Sequence, residues 1–453
     1  MNEPRITIVG GGLAGTEAAL QLADRGFDVD LYEMRPVRRT EAHRSERLAE
    51  LVCSNTFKSE RTDTPSGTLK VELELLGARL LPLARRARVP GGHALALDRE
   101  IFGDLVTHEI EAHDRIRLIR EEVSEPPVDG PTLIATGPLT APGLQEWIHT
   151  EMGDEGLYFY DAIAPSVLLD SVDTSIAFRA SRYEKGDADY LNCPLDRDEY
   201  EAFVDALLAA ERVPMKDFEK AAYFQGCMPI EVIAERGRES LRFGPMRPVG
   251  LKDPRTGRRP WAVVQLRQET RDGTLYGLVG FQTQLRYGGQ KDVFRRIPGL
   301  QNAEFARLGS LHRNTFLDSP RHLESDLSWR KHPGVWFAGQ MTGCEGYVES
   351  LAVGLIAARS IEDRVRGRDF TPPPSTTILG ALLAYLRDTS IERLTPMNVN
   401  FGLVPPLDER VRDKRLRKEA YARRAAEQME AWVRGRDESP GRITADLPGA
   451  VRP

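Results

Sequence analysis

The sequence predicts an α/β protein in which a Rossmann-type domain is interrupted by a large inserted α+β domain. Near the start of the chain, a buried strand leads into a glycine turn and a helix of small residues, and a second strand covers residues 28–33. From about residue 151, this alternation gives way to short strands, charged helices and many Gly and Pro residues. A further buried strand and glycine turn near residue 335 indicate that the first domain resumes there.

The glycine turn directly follows the strand at residues 5–9. Gly10 suits the tight turn, Gly12 allows a pyrophosphate to approach the backbone, and Gly15 allows the helix to pack closely on the strand. Backbone N–H groups at the helix start, together with the helix dipole, favour the negative charge of phosphates. The pattern predicts that a dinucleotide binds at the residues of this turn: Gly10, Gly11, Gly12, Leu13, Ala14 and Gly15.

The second strand ends in Glu33, roughly 20 residues after the glycines, where an acidic residue binds a ribose hydroxyl in dinucleotide-binding folds. A glycine pattern alone is weak support for a cofactor. Strand, glycines, helix, strand and terminal acid in this order favour a dinucleotide site over a purely structural turn. Glu33 is therefore predicted to contact the cofactor.

Length and charge limit the class of protein. A chain of 453 residues is long enough for two or three domains. Its 62 basic and 68 acidic residues give a net charge of −6, which leaves no overall nucleic-acid signature but does not exclude a local basic patch. No run of about 18 apolar residues occurs, and the first strand leaves no room for a signal peptide. A cytoplasmic protein without membrane contact is expected.

The nucleotide-binding domain is expected to close once and then to resume. Its first part ends with a strand at residues 132–135 and a turn containing Thr136 and Gly137. The predicted organisation is a first part of the nucleotide domain (1–150), an inserted substrate domain (151–300), the returning part (301–405), a basic helix (406–436) and a disordered tail (437–453).

The returning part favours FAD as the dinucleotide. A buried strand at residues 332–338 enters a turn that begins with Gly339 and Gln340 and continues to Gly346 and Tyr347 before a small-residue helix. A chain that leaves and returns to complete a cofactor site is typical of glutathione-reductase-like flavoproteins. No second GxGxxG pattern occurs, because the run at 287–290 lacks both a leading buried strand and the third glycine. A separate NAD-binding Rossmann domain is therefore disfavoured.

Hydrophobic periodicity predicts a helix over residues 69–80, closed by Pro82, another over 99–113, and a strand over 116–119. Residues 408–436 form a predicted helix dense in arginine and lysine. The favoured interpretation of this helix is a solvated surface with intrahelical ion pairs. A surface that follows RNA phosphates is the alternative.

The four cysteines are scattered without metal-ligand spacing, so free thiols and no metal site are expected. Cys227 precedes Pro229, which suits a first helical turn, and a thiol just before a helix start has a lowered pKa. Cys53 lies in a polar loop that is expected near the cofactor. The alternative for both is a buried, unreactive thiol, and that alternative is favoured for Cys193 and Cys344.

Several long motifs, in order over nearly the whole chain to about residue 405, resemble the TrmFO family of folate- and FAD-dependent tRNA (uracil-5-)-methyltransferases. The motifs lie at residues 10–17, 51–55, 226–231, 241–246, 265–269, 279–283, 312–316, 339–350 and 397–402. Two positions depart from the family pattern. Cys344 replaces an aliphatic residue, and Thr270 replaces Asn or Asp.

The resemblance implies methylation of the T-loop uridine, position 54 of tRNA, at C5. Methylenetetrahydrofolate would be the carbon donor and NAD(P)H the reductant, with FAD as hydride relay and methylene carrier. Uracil C5 becomes nucleophilic only after addition to C6, for which a thiolate is well suited. The resemblance assigns this addition to Cys227 and makes Cys53 a second active-site thiol. The target base must also leave its stack to be modified.

Other residues receive roles from the resemblance, each with a structural alternative. Tyr347 would stack near the isoalloxazine, or else be a core residue at a helix start. His312 would face the pterin, or else be a hydrogen-bonded structural histidine. Arg313, next to it, is a further candidate substrate contact. Arg415 and Lys418 are the candidate tRNA contacts on the basic helix.

Three rival functions remain at this level. The related FAD- and folate-using modifier of the tRNA wobble uridine is longer and carries an additional C-terminal helical domain. A FAD-dependent reductase of a small molecule would need neither thiol and would have no affinity for RNA. An RNA-binding flavoprotein without catalysis would not bleach its FAD with NADPH.

Overall fold

The computed structural model describes residues 3–40, 42–153, 157–184, 187–213 and 228–437. Two sequence-based predictions concern residues outside these ranges. Cys227 lies outside the described residues, and so does the predicted tail apart from Asp437, which ends a helix.

The strands of the described residues form four sheets. In chain order they are β1 (Ile6–Val9), β2 (Val29–Tyr32), β3 (Thr56–Ser59), β4 (Arg88–Val89), β5 (Ala94–Leu97), β6 (Ile116–Ile119), β7 (Thr132–Ile134), β8 (Leu157–Ile163), β9 (Ser166–Leu168), β10 (Phe178–Arg179), β11 (Tyr190–Leu195), β12 (Ala262–Gln268), β13 (Leu275–Leu278), β14 (Phe305–Arg307), β15 (Ser310–Phe316) and β16 (Val335–Phe337).

The helices connect and cover these sheets. In chain order they are α1 (Leu13–Ala23), α2 (Pro65–Leu75), α3 (Leu80–Arg86), α4 (Arg99–Glu111), α5 (Pro142–Met152), α6 (Arg197–Ala209), α7 (Ile230–Glu235), α8 (Ser240–Phe243), α9 (Tyr287–Phe294), α10 (Ser319–His322), α11 (Tyr347–Val365), α12 (Ile378–Tyr385) and α13 (Lys414–Asp437).

The first sheet is parallel and has the strand order β16-β7-β1-β2-β6. The returning strand β16 pairs with β7, so Trp336 lies opposite Leu133. Helices α1 and α11 pack together so closely that a Cβ at Gly354 would lie 2.3 Å from the carbonyl oxygen of Ala14. The Rossmann-type fold, with a chain that leaves and returns, is therefore confirmed.

The second sheet is antiparallel, with the strand order β10-β11-β12-β13-β9-β14. Helices α6, α7 and α9 share a hydrophobic core with it, and this core contains the fully buried rings of Phe203, Phe281 and Phe294. The predicted additional α+β unit is therefore present. The antiparallel pair β8 and β15 carries the chain out of the first sheet and back to it.

The predicted helix over residues 69–80 is wrong, because this segment belongs to two helices. Helix α2 ends near Gly77, which has a φ of +73°. Pro82 does not close a helix but lies in the first turn of α3, where its missing N–H leaves no helical hydrogen bond unmade. The helix predicted from residue 99 is confirmed as α4, and the side chain of Asp98 caps its N-terminus.

The basic helix begins later than predicted. The Asp413 carboxylate accepts hydrogen bonds from the backbone N–H groups of Arg415 and Leu416, both at 2.8 Å, and so starts α13. Arg415 pairs with Glu419 at 2.9 Å, as expected for an ion-paired helix surface. On its other side, α13 buries Met429 in the core of the first domain.

Buried glutamates connect distant segments by accepting backbone N–H groups. Glu17 accepts from Arg79 and Leu80, at the start of α3. Glu72 accepts from Ile378 at 2.7 Å and Leu379 at 2.8 Å, at the start of α12. Burial raises the pKa of Glu72 to about 8, although the two backbone hydrogen bonds oppose this shift.

The raised pKa predicts how stability depends on pH. The folded state holds the Glu72 proton more tightly than the unfolded state, so the stabilisation is complete below pH 4.5 and is lost as the pH rises towards 8. The side chain of the Glu72→Gln variant cannot ionise. We therefore expect its unfolding free energy to fall less than that of the wild type as the pH rises from 4.5 towards 8. The difference amounts to roughly 5 kcal/mol for a pKa moved from 4.5 to about 8.

Thermal unfolding between pH 5 and pH 8 measures this difference. Glu74→Gln is the matched control, because Glu74 lies on the same helix but is exposed. Unfolding temperatures that change with pH by the same amount in the wild type and in Glu72→Gln would contradict the prediction.

Candidate active site

Two cavities meet at Leu139 on one side of the first sheet. The smaller, about 70 Å³, lies against the glycine turn and the ends of β1 and β2. The larger, about 370 Å³, is lined by residues from the second sheet, from the pair β8 and β15, from β3 and the Cys53 loop, and from the start of α11. The two cavities therefore form one elongated site that begins at the glycine turn and ends between the two halves of the molecule.

The glycine turn has the geometry that a phosphate-binding turn requires. Gly10 has a φ of +112°, and a Cβ at Gly15 would lie 1.9 Å from the carbonyl oxygen of Gly10. A Cβ at Gly12 would meet nothing within 4 Å, so open space faces this backbone. Leu13 and Ala14 form the first turn of α1, whose N-terminus has no side-chain cap among the described residues. These uncapped N–H groups suit an anion.

Glu33 lies beside this turn, at the carboxyl end of β2, and lines the smaller cavity. Its carboxylate accepts the N–H of Gly11 at 3.1 Å and the Nε–H of Arg35 at 2.8 Å. Burial alone would raise the pKa of Glu33, but the hydrogen bonds and charge of Arg35 outweigh it and lower the pKa below its usual value. Glu33 is therefore an ionised acceptor at the position predicted for a ribose contact.

The returning segment supplies one wall of the larger cavity. Gln340, Gly346 and Tyr347 line it, and Tyr347 is the first residue of α11. The N-terminus of a helix of 19 residues thus borders the cavity and favours negative charge there. Gly339, with a φ of +75°, packs against α1, where its added Cβ would lie 2.9 Å from the Cβ of Ala14.

The end of β7 supplies the wall at which the two cavities adjoin. Thr136 lines the smaller cavity, and its hydroxyl contacts the Met341 sulfur at 2.9 Å. Gly137, with a φ of +69°, then turns the chain towards Pro138, which lines the larger cavity. The predicted pair Thr136 and Gly137 therefore lies beside the returning segment.

Cys53 lines the larger cavity and its backbone is fixed on both sides. Its N–H donates to the hydroxyl of Tyr347 at 2.8 Å, and its carbonyl accepts from Arg99 at 3.0 Å. Arg307 hydrogen-bonds the carbonyl of Val52. Cys53 therefore lies at the cavity wall, and its closeness to a bound cofactor stays a prediction.

A buried ion pair supports this loop. Arg99 contacts the Glu269 carboxylate at 2.7 Å and 3.2 Å, and Glu269 also accepts from the Ser166 hydroxyl at 2.8 Å. Burial would raise the pKa of Glu269, but the charge and hydrogen bonds of Arg99 outweigh it and lower that pKa. The Arg99–Glu269 pair therefore joins α4 of the first domain to the end of β12 in the second sheet.

Asn55 makes a second connection between the same loop and β12. Its amide N–H groups donate to the carbonyls of Leu97 at 2.9 Å and Gln268 at 3.0 Å, while its oxygen accepts from Arg267 at 2.9 Å. Arg267 also lines the cavity. The 265–269 motif is thus the contact between the inserted unit and the thiol loop, a role that its residue types alone do not indicate.

Carboxyl groups that the sequence did not single out also line the larger cavity. Glu345 is buried, and burial together with the charge of Asp161 raises its pKa well above the usual value. Gln340 donates to it at 2.6 Å. Nearby, Lys58 has a φ of +60° and pairs with the buried Glu349 at 2.8 Å. A non-glycine residue in this conformation is held by its surroundings.

His312 and Tyr347 each fit both interpretations given to them. His312 lines the cavity, lies opposite Asp161 on the paired strands, and has its Nε2 atom 2.9 Å from the Ser310 hydroxyl. The Tyr347 ring packs 6.1 Å from that of Phe57 in the core while also lining the cavity. Burial raises the pKa of Tyr347 well above 10, so its hydroxyl is neutral.

The remaining candidates lie elsewhere. Arg313 follows His312 on β15. Arg415 is exposed on α13, with Lys418 on the same helix, and neither lines the two cavities.

Cys193 and Cys344 are fully buried, which raises both pKa values to about 12, so the expectation of buried, unreactive thiols holds.

The segment that carries Cys227 can be followed only from residue 228. Helix α7 begins at Ile230, whose N–H donates to the carbonyl of Gln282 at 2.7 Å, and Gln282 lines the larger cavity. The predicted helix start after Cys227 is therefore confirmed, with Pro229 just before its first residue. The position of the Cys227 thiol itself stays a prediction.

Two expected absences concern metals and membranes. Among the described residues, no group of three or more His, Cys, Asp and Glu side chains is placed to hold a metal ion. In the same part of the chain, no helix is both long and apolar enough to cross a bilayer.

The buried Arg99–Glu269 pair yields a testable prediction. In Arg99→Gln, Glu269 remains buried without its counter-charge, so we expect the unfolding free energy to fall by about 3–5 kcal/mol. The double variant Arg99→Gln/Glu269→Gln should recover much of this loss, because neither side chain then carries a charge. Thermal unfolding of the wild type, the single variant and the double variant measures these changes in stability. Arg85→Gln is the control, because Arg85 forms an exposed ion pair with Glu74.

Comparison with known proteins identifies the family. A family model described as glucose inhibited division protein A matches residues 5–369. The chain is 54% identical over 429 residues to Methylenetetrahydrofolate--tRNA-(uracil-5-)-methyltransferase TrmFO of Geobacter sulfurreducens, which covers 94% of this chain and 98% of the relative. The protein of the same name from Heliobacterium modesticaldum is 52% identical over 428 residues, again covering 94% and 98%.

A solved structure agrees at the level of the fold. GidA of Aquifex aeolicus, in its form II crystal, superposes with a TM-score of 0.67 at 15% identity, over 95% of this chain and 74% of that one. The predicted fold class and the resemblance drawn from the sequence motifs are both confirmed. The chain belongs to the TrmFO family.

Proposed function

We propose that this chain methylates C5 of uridine 54 in the T-loop of tRNA, with methylenetetrahydrofolate as carbon donor and NAD(P)H as reductant. The observation that carries the proposal is the continuous site in which Cys53 and the start of α11 face one cavity that adjoins the glycine turn. The TrmFO relatives, which are at least half identical over nearly their whole length, bear the name of this reaction.

The residues of the smaller cavity fit FAD. Open space at Gly12, the uncapped start of α1 and the ionised Glu33 would hold the pyrophosphate and a ribose. Thr136 and Gln340 continue this contact surface towards the larger cavity. When bound, FAD supplies hydride transfer and carries the one-carbon unit.

The larger cavity offers the groups that a flat heterocycle requires. The Glu345 carboxyl group, whose pKa burial raises, is proposed to hydrogen-bond a ring carbonyl or nitrogen, and Arg267 and Lys58 provide cations on the walls. The start of α11 stabilises negative charge that develops beside it. His312 lies on the same wall as Asp161 and is proposed to face the pterin.

In this proposal, the two thiols have different roles in the reaction of uracil. The Cys227 thiolate adds to C6, which places the electron pair on C5 and lets C5 bond to the one-carbon unit. The C5 proton must then leave so that the bond between the one-carbon unit and its carrier can break. A hydride that originates from NAD(P)H would convert the one-carbon unit into the methyl group, and expulsion of the Cys227 thiolate would restore the C5–C6 double bond. Cys53 lines the cavity and is proposed to accept the C5 proton. Its backbone contacts with Tyr347 and Arg99 hold it in place for this transfer.

The tRNA partner requires basic surface outside the cavity. Arg415 and Lys418 of α13 are proposed to contact the phosphate backbone of the tRNA. Arg313, next to His312 on β15, is retained as a candidate substrate contact.

The second candidate is modification of the wobble uridine, suggested by the GidA fold. The relatives favour the first candidate, because this chain is 54% identical to a TrmFO protein but only 15% identical to the GidA chain. A small-molecule reductase fits less well, since it would have no use for Cys53 at the cavity wall.

Incubation with unmodified tRNA transcript, methylenetetrahydrofolate and NADPH tests the function. We expect 5-methyluridine at position 54, and none in a transcript in which uridine 54 is replaced by cytidine. Mass spectrometry of nuclease digests locates the methyl group. Modification at the wobble position, or oxidation of NADPH without any RNA product, would reject the proposal in favour of a rival.

Thiol variants test the division of labour. Cys227→Ala should abolish any covalent complex with RNA and lower methylation by several orders of magnitude, while FAD remains bound. Cys53→Ala should also lose methylation but keep the Cys227 adduct, because the addition to C6 precedes proton removal.

Cys193→Ala is the matched control, since Cys193 is a buried free thiol that does not line the cavity. Denaturing electrophoresis detects the adduct, and rapid chemical quench measures the methylation rate. An adduct that persists in Cys227→Ala would remove Cys227 from its role.

A further inference from the structure

The 241–246 motif and the chain after it contain exposed groups that the proposed reaction does not use. Phe243, at the end of α8, is 73% exposed, which makes it one of the most exposed large apolar side chains described. Tyr183, which is 60% exposed, has a φ of +60° and lies against Gly250, where an added Cβ would come within 2.9 Å of its ring. Both rings are held by their backbone and open to solvent.

Two arginines close to these rings in the sequence, Arg182 and Arg247, have no carboxylate partner within the described ranges. Arg182 donates to the carbonyl of Val249 at 2.8 Å. Arg247 follows Phe243 after a tight turn, in which the Arg247 N–H donates to the carbonyl of Gly244. Burial lowers the pKa of Arg182, and the nearby positive charge of Arg247 lowers it further. Within the described ranges, neither guanidinium forms an ion pair, so their mutual repulsion is not balanced by an acid.

The same segment adjoins the larger cavity. Pro245, in the turn after Phe243, packs on Gly280, where an added Cβ would lie 2.8 Å from the Cβ of Pro245. Arg182 donates to the side chain of Gln265 at 2.9 Å, and the carbonyl of Gln265 accepts the N–H of Val279 at 2.9 Å. Val279 and Gly280 both line the cavity. Pro245 and Arg182 therefore connect the segments that carry the exposed groups to one part of its wall.

A stacked arginine supports the Phe243 ring from behind. The Arg242 guanidinium lies 3.9 Å from the ring centre of Trp261 and 5.7 Å from that of Phe243. It also donates to the carbonyl of Trp261 at 2.9 Å and pairs with Glu239 at 2.9 Å. Phe243 is thus held in position by a fixed cation on one side while most of its surface stays exposed.

We propose that Arg182, Tyr183, Phe243 and Arg247 form an RNA-loop surface that binds unpaired nucleotides of the substrate beside the cavity. Unpaired bases stack on aromatic rings, and phosphates balance arginines that lack acidic partners. The proposal rests on the proposed function, because it needs an RNA substrate. It places the loop contact on the inserted unit, separate from the α13 residues that are proposed for the phosphate backbone.

Binding of a fluorescently labelled T-arm hairpin to the FAD-loaded, full-length protein tests this surface. Phe243→Ala should weaken binding roughly fivefold to a hundredfold, as expected for the loss of one base stack, and Phe243→Trp should restore it. Arg247→Gln should weaken binding and reduce by about 1 the slope of log affinity against log salt. A blunt RNA duplex without a loop should bind the Phe243→Ala and wild-type proteins equally.

Matched controls come from the same inserted unit. Tyr287 is also 60% exposed, so Tyr287→Ala should leave hairpin binding unchanged. Arg238 is exposed but already paired with Asp205 at 2.6 Å, so Arg238→Gln should keep the salt slope. FAD content and unfolding temperature establish that each variant retains its fold.

The possible results separate the two proposals. A wild type that neither binds the hairpin nor methylates tRNA would reject the proposed function. In a second outcome, the wild type binds the hairpin and methylates tRNA while Phe243→Ala and Arg247→Gln bind the hairpin as tightly as the wild type. That result would overturn the RNA-loop surface but not the proposed function. Equal weakening of hairpin and duplex by Phe243→Ala would also overturn it, because stacking on a loop base could not be the cause.

Discussion

The buried ion pair between Arg99 and Glu269 is the contact on which the rest of the site depends. Two charges removed from water are costly unless further hydrogen bonds compensate them. Here the Ser166 hydroxyl donates to Glu269 and the Cys53 carbonyl accepts from Arg99, while the Arg99 Nε atom has no partner among the described residues. The ion pair therefore fixes three things together: the start of α4, the end of β12 and the loop that carries the first thiol. Asn55 adds neutral hydrogen bonds to the same junction. The cavity keeps its shape because its two halves are joined where the chemistry is proposed to occur.

A site assembled in this way has walls that differ in electrostatic character. At the glycine turn and at the start of α11, backbone N–H groups and helix dipoles favour negative charge. Beside the start of α11, burial and the nearby charge of Asp161 raise the pKa of Glu345, whose carboxyl group accepts a hydrogen bond from Gln340. One elongated site thus offers two kinds of surface to its ligands, one of anion-binding backbone groups and one that holds a carboxyl group of raised pKa. This division follows from burial and from the proximity of like charges, without a metal ion in the proposal.

Local patterns were sufficient to predict the parts of the fold that depend on neighbouring residues. The glycine turn, the strands of the first sheet and helix α4 were predicted because periodicity, turn residues and caps act within a few positions. The break near Gly77 was missed because the apolar pattern continues across it. Arg99 and Glu269 were missed as partners, since a pair 170 positions apart leaves no local trace. The family motifs located the 265–269 and 241–246 stretches, but which atoms they contact depends on the three-dimensional packing.

The hydrogen-bonded pair of β8 and β15 also has a consequence for how such a protein can change. Because neighbouring strands lie about 5 Å apart, the inserted unit begins and ends at almost the same point of the first domain. A segment with adjacent ends can be exchanged as a cassette without disturbing the parent fold. The dinucleotide turn and the proposed RNA-loop surface lie on different sides of that junction. Substrate choice and cofactor chemistry can therefore diverge separately in proteins built on this plan.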